Sequence, residues 1–194
     1  MPQKIILASS SKRREDLLRQ INLKNFDIIK PNFNEDGFSE KISVTKKVIE
    51  FSYQKAKSVL KKIKYNNFII ISADTEVFRC GNTFSKCKSK NEVKNCLLHL
   101  SGRKHLVFGG ICLINSSGLI SKKLVSTEVF FEKIPLHDLN NTRLLNQGIG
   151  KAGGYAIQGL AAKYVKKIRG SYTNVVGLSL NHLNKMLEGL GFKN

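Results

Sequence analysis

The sequence contains no tryptophan, and its longest purely apolar runs are as short as Phe68 to Ile71. A helix that crosses a bilayer needs about 20 predominantly apolar residues, so these runs argue against a transmembrane segment. The N-terminal residues also lack the long apolar stretch of a secretory signal peptide. We therefore expect a cytoplasmic protein with no membrane association.

Cysteine is sparse, and its spacing lacks the patterns of metal sites. The four cysteines form no Cys-x2-Cys pair and have no histidine at zinc-ligand spacing: Cys80, Cys87, Cys96 and Cys112. This spacing predicts reduced thiols and no structural zinc. The chain also lacks a G-x-x-x-x-G-K-[ST] phosphate loop and a G-x-G-x-x-G dinucleotide fingerprint between a strand and a helix, which excludes the P-loop and Rossmann nucleotide sites.

Acidic residues are few: 14 Asp and Glu stand against 33 Lys and Arg, a formal net charge of +19. Such a surface attracts phosphorylated small molecules, nucleic acid or lipid headgroups, and the charge alone does not choose among them. A compositional bias toward solvated lysines explains the charge equally well. Aromatic residues make up only 8% of the chain, which disfavours a surface that stacks bases, so we expect no specific nucleic acid partner.

The 194 residues combine 41% hydrophobic with 24% charged residues, the balance of a globular protein. Segments of strand character alternate with segments of helical periodicity, which predicts an α/β fold with a mixed sheet. No repeat or linker divides the chain, so residues 1–194 are predicted to be a single domain. The predicted strands are 4–8, 26–29, 68–71, 105–114, 119–134 and 162–168, and the predicted helices are 12–21, 43–62, 91–100, 136–146 and 178–190.

A basic turn, Ser9-Ser-Ser-Lys-Arg-Arg14, lies between the first predicted strand and the first predicted helix. Backbone N–H groups at a helix start, hydroxyl groups and two guanidinium groups are together suited to a polyphosphate. The alternative is a serine N-cap followed by solvated basic side chains.

Two further segments carry candidate functional side chains. Asp74 and Thr75 follow the apolar run that ends at Ile71, where ligands commonly bind in α/β sheets, so Asp74 is a candidate for holding Mg²⁺ or accepting a proton from water. The alternative is a carboxylate that caps the turn.

The glycines between Gly150 and Gly159 allow close approach of a ligand, and Gln158 offers a donor and an acceptor to a base. The alternative there is a structural turn.

Taken together, these segments resemble the signatures of the Maf family of nucleoside triphosphate pyrophosphatases. The matching motifs occur in family order over nearly the whole chain: Leu7-Ala-Ser-Ser-Ser-Lys-Arg-Arg14, Ala73-Asp-Thr75, Leu100-Ser-Gly102 with His105, Lys151-Ala-Gly-Gly-Tyr-Ala-Ile-Gln-Gly159 and Asn174-Val-Val-Gly-Leu178. The resemblance implies a three-layer α/β cleft of the inosine-triphosphatase-like type, with two lobes around a mixed sheet, in a family that is often dimeric. It implies cleavage between the α and β phosphates with Mg²⁺ or Mn²⁺, and a link to septum formation.

The resemblance also implies roles for individual residues. Asp74 would activate water or bind the metal, together with Glu35. Seven residues would bind the substrate: Ser9, Arg13, Arg14, Lys55, Thr75, Lys86 and Gln158. The A-D-T and I-Q-G forms are similar to the branch of the family that acts on dTTP and UTP. The alternative function is a catalytically weak nucleotide- or nucleic-acid-binding module linked to division control.

Four positions depart from the family pattern, and one of them is Glu76, a carboxylate directly after Ala73-Asp-Thr75 where an apolar residue is usual. Lys12 replaces a proline, Asn34 stands where a carboxylate commonly precedes Glu35, and Cys87 replaces the proline that usually follows Lys86. None of these changes removes a predicted catalytic group, although Asn34 removes a negative charge from the predicted metal site.

Overall fold

The computed structural model describes residues 3–23, 25–34 and 42–192, in which strands and helices are interleaved along the chain. The strands are β1 (Lys4–Leu7), β2 (Phe26–Ile28), β3 (Phe68–Arg79), β4 (Asn82–Phe84), β5 (Lys104–Asn115), β6 (Ile120–Phe131) and β7 (Val165–Arg169). The helices are α1 (Lys12–Gln20), α2 (Val44–Leu60), α3 (Lys90–Leu100), α4 (Thr142–Gly148), α5 (Tyr172–Val176) and α6 (Leu180–Gly189). None of these helices is long and apolar enough to cross a membrane.

The strands form one mixed sheet in the order β2-β1-β3-β5-β6-β7, with β4 antiparallel to β3. Strand β1 is parallel to both β2 and β3, while β6 and β7 are antiparallel. The first four residues of β3, Phe68 to Ile71, are all apolar and buried, as expected for a strand covered on both faces. The predicted α/β mixed-sheet fold is confirmed.

Contacts along the chain group its residues into two compact units. The first unit contains Met1–Asp74, Gly109–Val125 and Gly177–Asn194, and the second contains Thr75–Phe108 and Ser126–Val176. The boundary therefore falls within β3, directly after Asp74. The single domain over residues 1–194 stays a prediction.

Helix α2 packs closely on the sheet of the first unit. Its apolar stripe includes Val48, Phe51 and Val59, whose spacing of three to four residues, or multiples of it, places them on one face. A Cβ atom on Gly110 of β5 would lie 2.1 Å from the carbonyl oxygen of Val48, so only glycine permits this approach. This packing places Lys55, also on α2, among the buried residues.

The structure corrects three local predictions. Strand β3 continues to Arg79, well past the predicted end of the run at Ile71. Residues Leu160–Tyr164 form a 3-10 helical turn, so the strand predicted for 162–168 begins only at Val165; the turn is stabilised because Leu160 N donates to Oε1 of Gln147 at 2.7 Å. Sequence reasoning also missed the short helix α5, where Asn174 N donates to Ser171 Oγ at 3.2 Å.

Candidate active site

Strands β1 and β3 bring two of the predicted functional segments to the same end of the sheet. The strands are parallel neighbours with Leu7 opposite Ile71, and Ala8 N donates to the carbonyl oxygen of Ile71 at 2.8 Å. Strand β1 ends at Leu7, whereas β3 continues to Arg79, so the basic turn begins just after the level of Ile71 and Asp74 lies a few residues further along β3. Both belong to the first unit and lie where the parallel strand β1 ends, the position at which ligands commonly bind in α/β sheets.

Asp74 is a buried carboxylate with a buried cationic partner. Its side chain and that of Lys55 are 4% and 8% exposed, and Lys55 Nζ lies 2.6 Å from Asp74 Oδ1. Each charge compensates the other, as burial requires. The second oxygen, Oδ2, makes no hydrogen bond with any residue that the structure describes. It is thus the atom of the carboxylate suited to accept a proton or bind a cation.

The two arginines of the basic turn have different environments. Arg14 donates from Nε to the carbonyl oxygen of Gly177 at 2.9 Å, and its Nη1 lies 3.5 Å from Oγ of Ser9. Gly177 has a φ of 145°, which favours glycine, and it belongs to the Asn174–Leu178 motif. The motif thus supplies the carbonyl group that holds Arg14 in place, a role that sequence reasoning did not assign.

Arg13 is half-buried, and burial lowers the pKa of its guanidinium group. Within the described ranges, it makes no hydrogen bond or ion pair. The N-cap residue of α1, Ser11, makes no side-chain capping hydrogen bond. A half-buried guanidinium group beside an uncapped helix N-terminus is favourable for an anion.

The remaining predicted residues that the structure describes belong to the second unit. Lys86 is exposed and forms an isolated antiparallel bridge with Ala152, and Gly150 N donates to the carbonyl oxygen of Cys87 at 2.8 Å. The glycine segment, residues 150–159, is therefore paired with the segment that carries Lys86. Thr75 is half-buried, and Gln158 is exposed.

Glycine is required where this segment turns. Gly153 has a φ of 69°, and a Cβ atom there would lie 2.9 Å from Val77. The segment thus passes too close to β3 for any larger residue.

A buried polar pair in the second unit was also missed by sequence reasoning. His105, at 1% exposed, shares a 2.8 Å hydrogen bond with the hydroxyl group of Tyr155, and both rings pack edge-on with Phe131. Burial, with a smaller effect of the positive charge on Arg79, lowers the pKa of His105 to about 4. The pair anchors the glycine segment through Tyr155. The sequence offered one signal for this pair: His105 and Tyr155 each belong to one of the motifs that resemble the family signatures.

Glu35, the second predicted metal ligand, lies outside the described residues. Among the residues with described positions, no group of three or more His, Cys, Asp and Glu could hold a metal ion. Of the two predicted metal ligands, Asp74 is the one among the described residues.

Comparisons with known proteins agree over nearly the full chain. A family model described as Maf-like protein matches residues 4–190. A dTTP/UTP pyrophosphatase of Ruminiclostridium cellulolyticum is 44% identical over 97% of both chains. A dTTP/UTP pyrophosphatase of Mesorhizobium japonicum is 38% identical over 98% of this chain and 93% of the relative.

Solved structures support the fold. The Ham1 protein of Staphylococcus aureus superposes with a TM-score of 0.53 at 14% identity, covering 97% of this chain and all (100%) of that chain. A HAM1 protein from Coxiella burnetii also has a TM-score of 0.53, at 15% identity, covering 96% of this chain and 99% of that chain. At these identities the likeness shows the fold alone.

Proposed function

This chain belongs to the Maf-like protein family, and from that premise we propose that it hydrolyses a nucleoside triphosphate to the nucleoside monophosphate and pyrophosphate. The name shared by its relatives and the A-D-T and I-Q-G motifs favour dTTP and UTP as substrates. The observation that carries the proposal is the buried Asp74 carboxylate, which lies on β3 just beyond the level at which β1 ends and the basic turn begins.

The basic turn would bind the triphosphate. Arg13 has the strongest support, because its half-buried guanidinium group makes no polar contact with the described residues. Charge-assisted hydrogen bonds from arginine to phosphate oxygens are short and directional. Arg14 and Ser9 would complete the site, with Arg14 oriented by the carbonyl group of Gly177.

Asp74 would act as the general base. In this mechanism Oδ2 accepts a proton from water, and the water oxygen bonds to the α-phosphorus. The bond between the α-phosphorus and the α–β bridging oxygen then breaks, and its electron pair leaves with pyrophosphate. Lys55 holds the carboxylate through Oδ1, and we assign to Lys55 and Lys86 the neutralisation of charge on the leaving group.

The chemistry of Asp74 also fits a divalent cation. Mg²⁺ in phosphate-transfer sites is commonly held by one or two carboxylates together with phosphate oxygens of the substrate, so a single buried aspartate suffices as a ligand from the described residues. Bound Mg²⁺ or Mn²⁺ would neutralise negative charge on the phosphates. As the alternative role of Asp74, we propose that Oδ2 holds the cation in place of accepting the proton, with Glu35 as the other ligand.

The finer assignments rest on the family resemblance. Thr75 and Gln158, together with Arg13, are proposed to determine which base is accepted. A homodimer, a cytoplasmic location and a link to septum formation stay predictions.

The proposed reaction is tested by incubating the full-length protein and Mg²⁺ with a panel of nucleotides: dTTP, UTP, CTP, dATP, GTP and 7-methyl-GTP. Phosphorus NMR should show pyrophosphate and one monophosphate in equal amounts, with dTTP and UTP consumed first. Release of orthophosphate as the first product, or no consumption of any nucleotide, would overturn the proposal. The variant Asp16→Asn, at an exposed carboxylate on α1, is the matched control and should behave as the wild type.

A further inference from the structure

Two cysteine side chains are in contact within the second unit. Cys96 lies on α3, and Cys87 lies in the segment between β4 and α3. Their Sγ atoms are 3.4 Å apart. Because the S–S bond of a disulfide is about 2.04 Å long, the two sulfur atoms need to approach by only about 1.4 Å to form one.

The backbone holds both thiols in place. Cys87 N donates to the carbonyl oxygen of Lys151 at 3.3 Å, and the carbonyl oxygen of Cys87 accepts from Gly150. A Cβ atom on Gly154 would lie 3.2 Å from Cys96 Cβ, so the glycine segment packs directly against this cysteine. The two sulfur atoms are therefore already in contact in the folded protein.

The two thiols differ in accessibility and acidity. Cys87 is 3% exposed, whereas Cys96 is partly exposed. The hydrogen bond between them lowers the pKa of Cys96 and raises the pKa of Cys87, and burial raises the pKa of Cys87 further. An external oxidant thus reaches Cys96 first, and Cys96 is the better nucleophile.

We propose that Cys87 and Cys96 form an oxidation site, which low-molecular-weight disulfides convert into an intramolecular disulfide bond. The Cys96 thiolate attacks one sulfur of the small disulfide, forming a mixed disulfide and releasing one thiolate. Cys87 then loses its proton to water, and its sulfur attacks Cys96 Sγ, which releases the second thiolate. Two protein thiols are oxidised, and one small disulfide is reduced to two thiols.

The other two cysteines provide internal controls. Cys80 is exposed, and no other thiol contacts it, all four cysteines being among the described residues. Cys112 is fully buried, and burial raises its pKa to about 12, so it should not react in the folded protein. Modification of Cys112 would therefore report unfolding rather than reaction at the proposed site.

The site is tested with oxidised glutathione on the full-length Cys80→Ser variant under native conditions, with peptide mapping by mass spectrometry without reduction. The expected product has lost two hydrogens, about 2 Da, and yields a peptide in which Cys87 and Cys96 are cross-linked. In the same background, Cys87→Ala should stop at a mixed disulfide on Cys96, and Cys96→Ala should leave Cys87 unmodified.

Two results would overturn the proposal. One is a mixed disulfide that accumulates on Cys96 although Cys87 is present, because the resolving step would then not occur. The other is the absence of modification at Cys96 in both the Cys80→Ser protein and its Cys87→Ala derivative. An unmodified Cys112 in each sample verifies that the protein stayed folded. The test makes no use of nucleotide hydrolysis, so its outcome is independent of the proposed function.

Discussion

Each unit of the molecule contains a buried pair of polar side chains, and the two pairs differ in charge. In the first unit, Lys55 and Asp74 are 2.6 Å apart and form an ion pair. In the second unit, His105 and Tyr155 share a hydrogen bond of 2.8 Å. Burying an ion pair has a large desolvation penalty, and apolar replacements are often as stable or more stable. A buried ion pair therefore points to a catalytic or binding role, whereas a structural role alone explains a neutral pair.

The neutral character of the second pair follows from its surroundings. Burial lowers the pKa of His105 to about 4, so the imidazole carries no charge at neutral pH. Burial also raises the pKa of Tyr155, which keeps its hydroxyl group protonated. The pair thus fixes the glycine segment without introducing a charge into the core.

The largest expected effect on stability is at the ion pair. Lys55→Met removes the counter-charge of a buried carboxylate and should lower the free energy of unfolding by about 3–5 kcal/mol. Adding Asp74→Leu should restore most of that loss. Urea denaturation of both single variants and the double variant measures the coupling. If the double variant is as unstable as Lys55→Met alone, the ion pair itself stabilises the fold. The contrast between this pair and the neutral pair of the second unit would then not hold.

The second-largest expected effect is a pH dependence of the free energy of unfolding, which arises from His105 of the neutral pair. The unfolded chain protonates His105 near its ordinary pKa of 6.5, whereas the folded chain does so only near 4. Its contribution to stability is therefore complete above pH 6.5 and is lost as the pH falls toward 4, in total about 3 kcal/mol.

Denaturation curves between pH 7 and pH 4 measure this dependence, and the difference between the wild type and His105→Gln isolates it from other groups. The control His99→Gln, at an exposed histidine, should retain the wild-type slope. If the free energy of unfolding depends on pH with the same slope in the wild type and in His105→Gln, the pH dependence does not come from His105.

A smaller effect is expected at Arg13, a half-buried cation of the first unit that makes no hydrogen bond or ion pair with the described residues. Arg13→Ala should raise KM for dTTP by roughly 10- to 100-fold, because hydrogen bonds to charged groups contribute about 1.5–3 kcal/mol. Arg13→Lys should recover part of this loss, since lysine keeps the charge without the paired donors. Steady-state kinetics measures both, with the exposed Arg19→Ala as the control. An unchanged KM for Arg13→Ala would place phosphate binding elsewhere.

The smallest effect is at the hydroxyl group of Tyr155. Tyr155→Phe keeps the ring packing with Phe131 but removes the hydrogen bond to His105, with an expected loss of about 1 kcal/mol. Differential scanning calorimetry should show a midpoint lower by roughly 2–4 °C. Tyr172→Phe, at an exposed ring, should leave the midpoint unchanged. A loss of unfolding free energy well above about 1 kcal/mol would mean that the hydroxyl group of Tyr155 has a further role.

Much of the fold could be predicted because local patterns agree with the final structure. The apolar run of β1 and the periodicity of α2 predicted these elements close to their observed bounds, and the run from Phe68 to Ile71 predicted where β3 begins. The full length of β3 was not predicted from its apolar run: Val77 to Arg79 belong to the strand because they pair with the short strand β4 across the two-residue turn Cys80-Gly81, where both residues have a positive φ. Helix α5 was missed because its β-branched residues disfavour a helix locally.

The candidate site shows the same division. Asp74 was identifiable from its position after an apolar run, but its pairing with Lys55 depends on how closely α2 approaches the sheet at Gly110. Sequence reasoning did not distinguish Arg13 from Arg14, whereas in the structure the carbonyl group of Gly177, more than 160 residues away in sequence, accepts a hydrogen bond from Arg14. Pairings between distant segments are not encoded in local spacing.

The most direct test of the proposed function is the turnover of dTTP by Asp74→Asn. Asparagine keeps an oxygen that accepts a hydrogen bond from Lys55 but does not act as a base, so kcat should fall by about 10³-fold while dTTP binding, measured by calorimetry, and the circular dichroism spectrum stay close to those of the wild type. A kcat near the wild-type value would contradict the assignment of Asp74 as the catalytic base.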